Sequence, residues 1–279
     1  MGLTLLIALA CGLASAQTSA PPAGESAAAT VPESPAPSSI PGEEAPRGGF
    51  AHDAGLYFTA PLHWNGGDWA WFAGALAAIA ASHHYDSDVR THFTKGLTPT
   101  EISNISSNDL HDALPAAAVF FGTWGFAALI NDPNGHREAW SMFEAATFGT
   151  IDTYALKYLL RRQRPSDTSN PNEWFKSGGG SFPSEHATAS FAIGTVLAEA
   201  GGDDYRWLRR VLGYGLGIGT SYLRLKHNTH WLSDTVAGGA LGIASGQFAL
   251  NHAYRNQNWG FSLVPVQGGA MLTYRTELP

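Results

Sequence analysis

From about residue 68 onward, apolar positions recur at helical rather than alternating spacing. Segment 68–84 is rich in Ala and Trp, and 112–131 is nearly all apolar. Between 136 and 162, Trp140, Phe143, Phe148, Ile151, Tyr154 and Tyr158 follow one another at three- to five-residue steps, the stripe of one helix face. Further helices are predicted at 184–200, 205–223 and 230–254. The expectation is an all-α fold, a single bundle of about six core helices whose roughly 190 residues suffice for one hydrophobic core. Residues 259–276 set Gly268-Gly269 between two alternating apolar runs and predict a small C-terminal β-hairpin. No internal repeat is present. The Ser-, Asp-, Asn- and Gly-rich stretch 166–181 is predicted as an exposed loop.

The first fifty residues break this pattern. Residues 3–14 are apolar but too short to span a membrane, and Ala14-Ser15-Ala16 follows as a small-residue cleavage pattern. Residues 1–16 are therefore expected to be a signal peptide, although no Lys or Arg precedes Arg47. The sole cysteine, Cys11, lies inside it with Ala8 where a lipoprotein signal would place Leu, so cleavage after Ala16 would leave no disulfide to form. Residues 17–49 hold seven prolines among Ala and Ser and read as a disordered linker. The implied location is exported and periplasmic.

Three short patches carry the candidate chemistry: Lys157, six residues, Arg164-Pro165; then Pro183-Ser184-Glu185-His186; then Arg224, five residues, His230, three residues, Asp234. A phosphoryl group carries about two negative charges at neutral pH, so a site without metal needs several cations and backbone amides at a helix start. Lys157 and Arg164, seven apart, would share a helix face, with the helix stopping at Pro165. Arg224 adds a planar fork for two phosphate oxygens. Ser184 at the start of helix 184–200 would aim the amides of 185–187 at an anion. Each element alone has a structural reading, and Arg161 to Arg164 could be no more than a solvated basic helix end.

Order and spacing together resemble the type 2 phosphatidic acid phosphatase and vanadium haloperoxidase superfamily, whose signature is Lys-x6-Arg-Pro, Pro-Ser-Gly-His and Ser-Arg-x5-His-x3-Asp. The resemblance covers residues 157–234 directly and the helical region 68–255 by extension. It implies a phosphatase domain at 50–279 with its catalytic core at about 112–255. His230 would be the nucleophile that forms a phosphohistidine, Asp234 the carboxylate that orients it, and His186 the acid and base. Lys157, Arg164, Ser184, Arg224 and the amide of Glu185 would bind phosphate. Glu185 departs from the family's glycine, and Tyr222-Leu223 stand where Ser often precedes the arginine, with Ser221 close by. The Glu185 carboxylate is expected to point away from the anion. No cofactor or metal is implied, and His83, His84, His111, His136 and His227 lack ligand spacing.

A net charge of -7 and a pI near 5.8 leave no footprint for nucleic acid. Only 113–130 approaches spanning length without charge, with Pro115 in its first turn, and the mean hydropathy of -0.10 argues against many membrane spans. The favoured expectation for 113–130 is the central core helix of a soluble bundle, with Trp64, Trp69, Trp71 and Phe72 available for peripheral membrane contact. The expected function is an exported, metal-independent phosphatase of phosphomonoesters. The alternative is a membrane-associated lipid phosphatase acting on phosphatidate, phosphatidylglycerophosphate or a polyprenyl pyrophosphate. Behind these stand a vanadate-dependent haloperoxidase and a catalytically silent envelope protein.

Overall fold

The computed structural model describes residues 50–103, 105, 109–201, 205–253, 260–266 and 269–275. The expected signal peptide and linker, residues 1–49, lie outside the described residues. The helices are α1 (Phe50–Thr59), α2 (Gly66–His84), α3 (Asp86–Thr94), α4 (Pro99–Ser103), α5 (Asp109–Ile130), α6 (Pro133–Leu160), α7 (Glu185–Glu199), α8 (Arg206–Lys226) and α9 (Leu232–Ala253), with a short 3-10 turn at Ala60–His63. Strands β1 (Gly260–Val266) and β2 (Gly269–Arg275) pair antiparallel, Gly260 opposite Arg275 and Val266 opposite Gly269. The fold is all-α with a terminal hairpin, and the six long helices are those the apolar spacing predicts. Helices α1, α3 and α4 have no counterpart in that pattern, because they are short and two of them are largely polar.

Local sequence explains the helix ends. The Asn65 side chain accepts from the amides of Gly67 and Asp68, while Asp68 accepts from the Asn65 amide, a reciprocal cap that starts α2. Asp132 caps α6 through the amides of Asn134 and Gly135, with Pro133 at the first helical position. At its other end α6 stops at Leu160, where Arg161 turns left-handed at φ 41°.

Helix α7 is the centre of the bundle, packed against α6, α8 and α9. Its approach to α8 is close enough that a Cβ on Gly194 would stand 2.1 Å from the Gly213 carbonyl oxygen. The hydrophobic core joins Ala116, Met142, Ala145, Ala192, Ile193, Val196, Ala249 and Leu250. Small side chains predominate because they let helix backbones approach.

One expectation about packing is corrected. Helix α5 is not the core helix: only three of its 22 residues, Asp112, Ala116 and Ala127, are buried. It is also long and apolar enough to cross a membrane. The aromatic stripe of α6 does not form that helix's buried face either. Phe148 is buried, whereas Phe143, Ile151, Tyr154 and Tyr158 are exposed, and the inward positions belong to Ala139, Ser141, Met142, Ala145, Gly149 and Thr153. Periodicity located the helix without showing which face turns inward, since it cannot tell an apolar core from an apolar exterior.

Candidate active site

Lys157 lies one turn before the end of α6, half-buried, and its Nζ donates to the Gly180 carbonyl at 2.6 Å. The left-handed Arg161 ends the helix four residues earlier than expected, so Arg164 sits on the non-helical segment beyond it rather than on the helix face of Lys157. From there Arg164 Nη1 donates to the Thr229 carbonyl at 3.2 Å, joining the first patch to the third. The loop is exposed over much of its length, as expected, and its glycine-rich end folds back on this turn. The amides of Gly180 and Ser181 donate to the Arg162 carbonyl at 2.9 Å, and Ser181 is fully buried. A Cβ on Gly179 would lie 2.1 Å from the Arg161 oxygen, which explains the glycine at that position.

Ser184 precedes α7 as expected, but its hydroxyl makes no cap; Oγ is buried without a partner among the described residues, while its amide donates to the Asp234 carbonyl at 3.0 Å. The Glu185 carboxylate is not remote from the site, since its charge acts on Lys157 and His186. It faces α6, holding up the pKa of the Tyr154 phenol through a hydrogen bond and opposing the loss of charge at Lys157. His186 is half-buried, and its Nε2 lies 3.0 Å from the Asp109 carbonyl oxygen. Burial lowers the His186 pKa, and the Arg224 charge adds to that.

Arg224, in the last turn of α8, is buried with Nη1 bonded to Asp109 Oδ1 at 2.7 Å and Asp112 Oδ2 at 2.8 Å, while its Nε has no partner among the described residues. Asp112 also accepts from His227 Nδ1 at 3.0 Å, so the first turn of α5 is fastened to the end of α8. The turn 227–231 then presents His230, buried, with Nδ1 3.5 Å from Asp234 Oδ2 in the first turn of α9. That separation exceeds an ordinary N–H···O bond and places the two groups in register rather than in full contact.

Asp234 is saturated on its other sides. Oδ1 accepts from Arg162 Nη1 at 2.6 Å, and Oδ2 accepts from the Ser181 hydroxyl and from the Trp231 amide at 2.9 Å. Burial alone would raise its pKa, but the His230 contact and the Arg162 charge outweigh burial and keep it below the usual carboxylate range. Burial pushes His230 down to about 3, with Arg164 and Lys157 acting in the same direction against Asp234. Its imidazole is therefore neutral across the physiological range. Burial, then the Arg164 charge, lowers Lys157 to about 8.

The three patches thus converge into one electrostatically coupled cluster of Lys157, Arg164, Arg224, His186, His230 and Asp234, with Ser184 at its edge. Sequence reading missed Arg162, Asp86, Ser181, Asp109 and Asp112. Arg162 was concealed in a basic run at a helix end, and no local signal marks the four others.

The PAP2 superfamily model matches residues 138–258, which enclose every one of the predicted site positions. A lipid A 1-phosphatase from Porphyromonas gingivalis is 33% identical over 91 residues, 33% of this chain and 18% of that protein, so the chain spans under a fifth of that relative. The crystal structure of Aquifex aeolicus LpxE aligns at 19% identity over 59% of this chain and 93% of that one, with a TM-score of 0.39. A transmembrane PAP2-type phosphatidylglycerolphosphate phosphatase from Bacillus subtilis aligns at 16% identity over 65% and 93%, with a TM-score of 0.41. The Lys157, Ser184 and Arg224 patches all lie inside the matched segment, so it is residues 138–258, with the whole candidate site, that are similar to the PAP2 superfamily.

Proposed function

We propose that the chain is a membrane-associated lipid phosphatase that hydrolyses a phosphomonoester on a lipid through a phosphohistidine at His230. The observation that carries the lipid substrate is a groove of about 450 Å³ between α5, α6 and α7, lined by Ala117, Phe120, Phe121, Met142, Phe143 and Ile193 among others, with His186 also in its wall. An apolar trough that shares His186 with an anion cradle suits a molecule with an acyl chain and a phosphate. The exposed apolar flank of α5 supports the same reading, as does the name of the Porphyromonas relative, lipid A 1-phosphatase. A soluble phosphomonoesterase, the reading favoured by the sequence, accounts for the cradle but leaves groove and flank without a use.

In this mechanism Lys157, Arg164, Arg224, the Ser184 hydroxyl and the first amides of α7 hold the phosphate oxygens. Phosphate takes Arg224 Nη1 in competition with the Asp109 carboxylate. Because Nδ1 of neutral His230 faces Asp234, Nε2 carries the free lone pair and attacks phosphorus in line. The P–N bond forms as the P–O bond to the lipid breaks, His186 protonates the departing oxygen, and Asp234 stabilises the imidazolium. His186 then takes a proton from the water that displaces His230, releasing inorganic phosphate. The bound dianion favours the protonated His186 that the first step needs, offsetting the depression by burial and Arg224.

The test compares a lipid phosphate in mixed micelles with p-nitrophenyl phosphate, both in EDTA. His230→Ala is expected to lose at least about a thousand-fold on both substrates. Ala117→Phe, which fills the groove, is expected to lose lipid turnover while retaining the soluble ester. Equal loss on both substrates, or none on either, would sink the lipid assignment.

A further inference from the structure

Arg162 is fully buried, as are its two carboxylate partners. Nη2 donates to Asp86 Oδ2 at 2.6 Å and to the Pro171 carbonyl at 2.8 Å. Nη1 donates to Asp234 Oδ1 at 2.6 Å and to Ser233 Oγ at 2.8 Å, and Nε donates to the Pro171 carbonyl at 3.0 Å. All five guanidinium N–H groups are thereby engaged. The cation also lies 4.5 Å from the Trp174 ring and 5.3 Å from that of Trp231. Asp86, at the start of α3, is equally committed: Oδ1 accepts from the Ser233 amide at 2.8 Å and Oδ2 from the Ser233 hydroxyl at 2.7 Å.

Helix-end stability does not require this arrangement. A buried cation bridging two carboxylates is seldom a net source of stability, since desolvating three charges offsets much of their attraction. The geometry has a more specific consequence at His230. Arg162 ties Asp234 Oδ1, while Ser181 and the Trp231 amide hold Oδ2, so the carboxylate cannot rotate and Oδ2 stays directed at His230 Nδ1. An unopposed Arg162 would neutralise Asp234 as a partner for a cationic imidazole. The second carboxylate, Asp86, shares the guanidinium charge and leaves the buried group with one net negative charge facing His230.

We infer that Arg162 and Asp86 are positioning residues of the active site: acting through Asp234, they fix the His230 proton on Nδ1 and keep enough negative charge beside it to stabilise phosphohistidine. The inference rests on the phosphohistidine reading for its kinetic part only. Lysine cannot replace Arg162, because one ammonium cannot span two carboxylates with a planar fork. Groups that orient a reacting residue from behind typically account for about ten- to a hundred-fold in activity.

The experiment combines kinetics with ¹⁵N-histidine NMR of the full chain in micelles, the His230 signal being identified by its loss in His230→Gln. In the wild type, Nδ1 is expected to carry the proton. Arg162→Lys and the near-isosteric Asp86→Asn are each expected to lower kcat about ten- to a hundred-fold, with KM little changed. Arg162→Lys is further expected to give mixed tautomers. Folded variants with wild-type kcat and tautomer would overturn the inference, as would a wild-type proton on Nε2. Should neither variant fold, the wild-type spectrum decides: a proton on Nδ1 sustains the assignment, and one on Nε2 overturns it. If the wild type turns over no phosphate ester, the phosphatase reading fails, while the tautomer still tests whether Arg162 governs His230.

Discussion

Helices α5 and α7 are both long, apolar and free of Lys and Arg, yet they have opposite surroundings. In α7, nine of 15 residues are buried, many of them Ala, Gly, Ser or Thr; in α5, three of 22 are, and Phe121, Phe126, Leu129 and Ile130 are exposed. The larger apolar side chains are outside and the smaller, more polar ones inside. A water-soluble bundle is normally sorted the other way, because burial of large apolar groups drives its folding. Close packing of small residues with the bulky ones turned outward is the order expected where the exterior is itself apolar. Hydrophobicity alone therefore misassigns α5, and residue size reads the difference correctly.

The same substitution in both helices should break the pair apart most strongly. Gly194 of α7 would bring a Cβ within 2.1 Å of the Gly213 carbonyl oxygen, whereas Gly122 of α5 has nothing within 4 Å of that position. Gly194→Ala should therefore destabilise by about 1–3 kcal/mol through overpacking. Gly122→Ala should be neutral or stabilise by up to about 1 kcal/mol, as alanine does in an open helix interior. Thermal unfolding in one detergent measures both, and equal shifts would mean that α5 is packed as tightly as α7.

The outward face of α5 offers a second contrast. Phe126→Lys with Leu129→Lys puts two charges on an exposed apolar flank. Recovery with the membrane fraction and activity on lipid in vesicles should fall several-fold, while hydrolysis of p-nitrophenyl phosphate should stay within about twofold, since surface changes far from buried features are mild. Unchanged membrane recovery would show that α5 does not meet the lipid.

A smaller effect is expected from pH at the polar end of α6. Burial and Arg164 lower Lys157 to about 8, so its ammonium is present below that pH and is lost as pH rises through it. Affinity for a phosphate ester should weaken on the alkaline side, giving a falling limb in kcat/KM near pH 8. Lys157→Arg keeps its charge and should flatten that limb. A limb that survives this substitution belongs to another group.

How much of this was visible in the sequence follows from how local each signal is. The six long helices and the motif residues Lys157, Arg164, Ser184, His186, Arg224, His230 and Asp234 could be read from spacing, because each motif is a short contiguous stretch, although of their contacts only His230 with Asp234 lies within one turn. The inward direction of α6 could not, since its aromatic stripe faces out. Arg162 looked like one more surface charge; only the left-handed turn at Arg161 sends it inward to Asp86, 76 residues away in sequence. Asp109 and Asp112 belong to the same class of long-range partner, reaching Arg224 from the start of an otherwise apolar helix.

Those two aspartates supply the finest test of the contrast, because they are where α5 touches the chemistry. Asp112 is buried and holds both Arg224 and His227, so it is part of the scaffold. Asp109 is 66% exposed, and its carboxylate sits on Arg224 Nη1 at 2.7 Å, where a phosphate oxygen would bind. The Asp109 carboxylate is screened by solvent and Arg224 keeps its buried partner Asp112, so substrate can displace Asp109 at modest cost. Asp109→Asn leaves a neutral acceptor of the same shape and removes the competing charge. Its inhibition constant for inorganic phosphate, and KM for a phosphate ester, should fall about two- to fivefold with kcat nearly unchanged. A rise in KM instead would mean that Asp109 holds Arg224 in its binding pose, making the whole first turn of α5 scaffold and leaving only its apolar remainder to face outward.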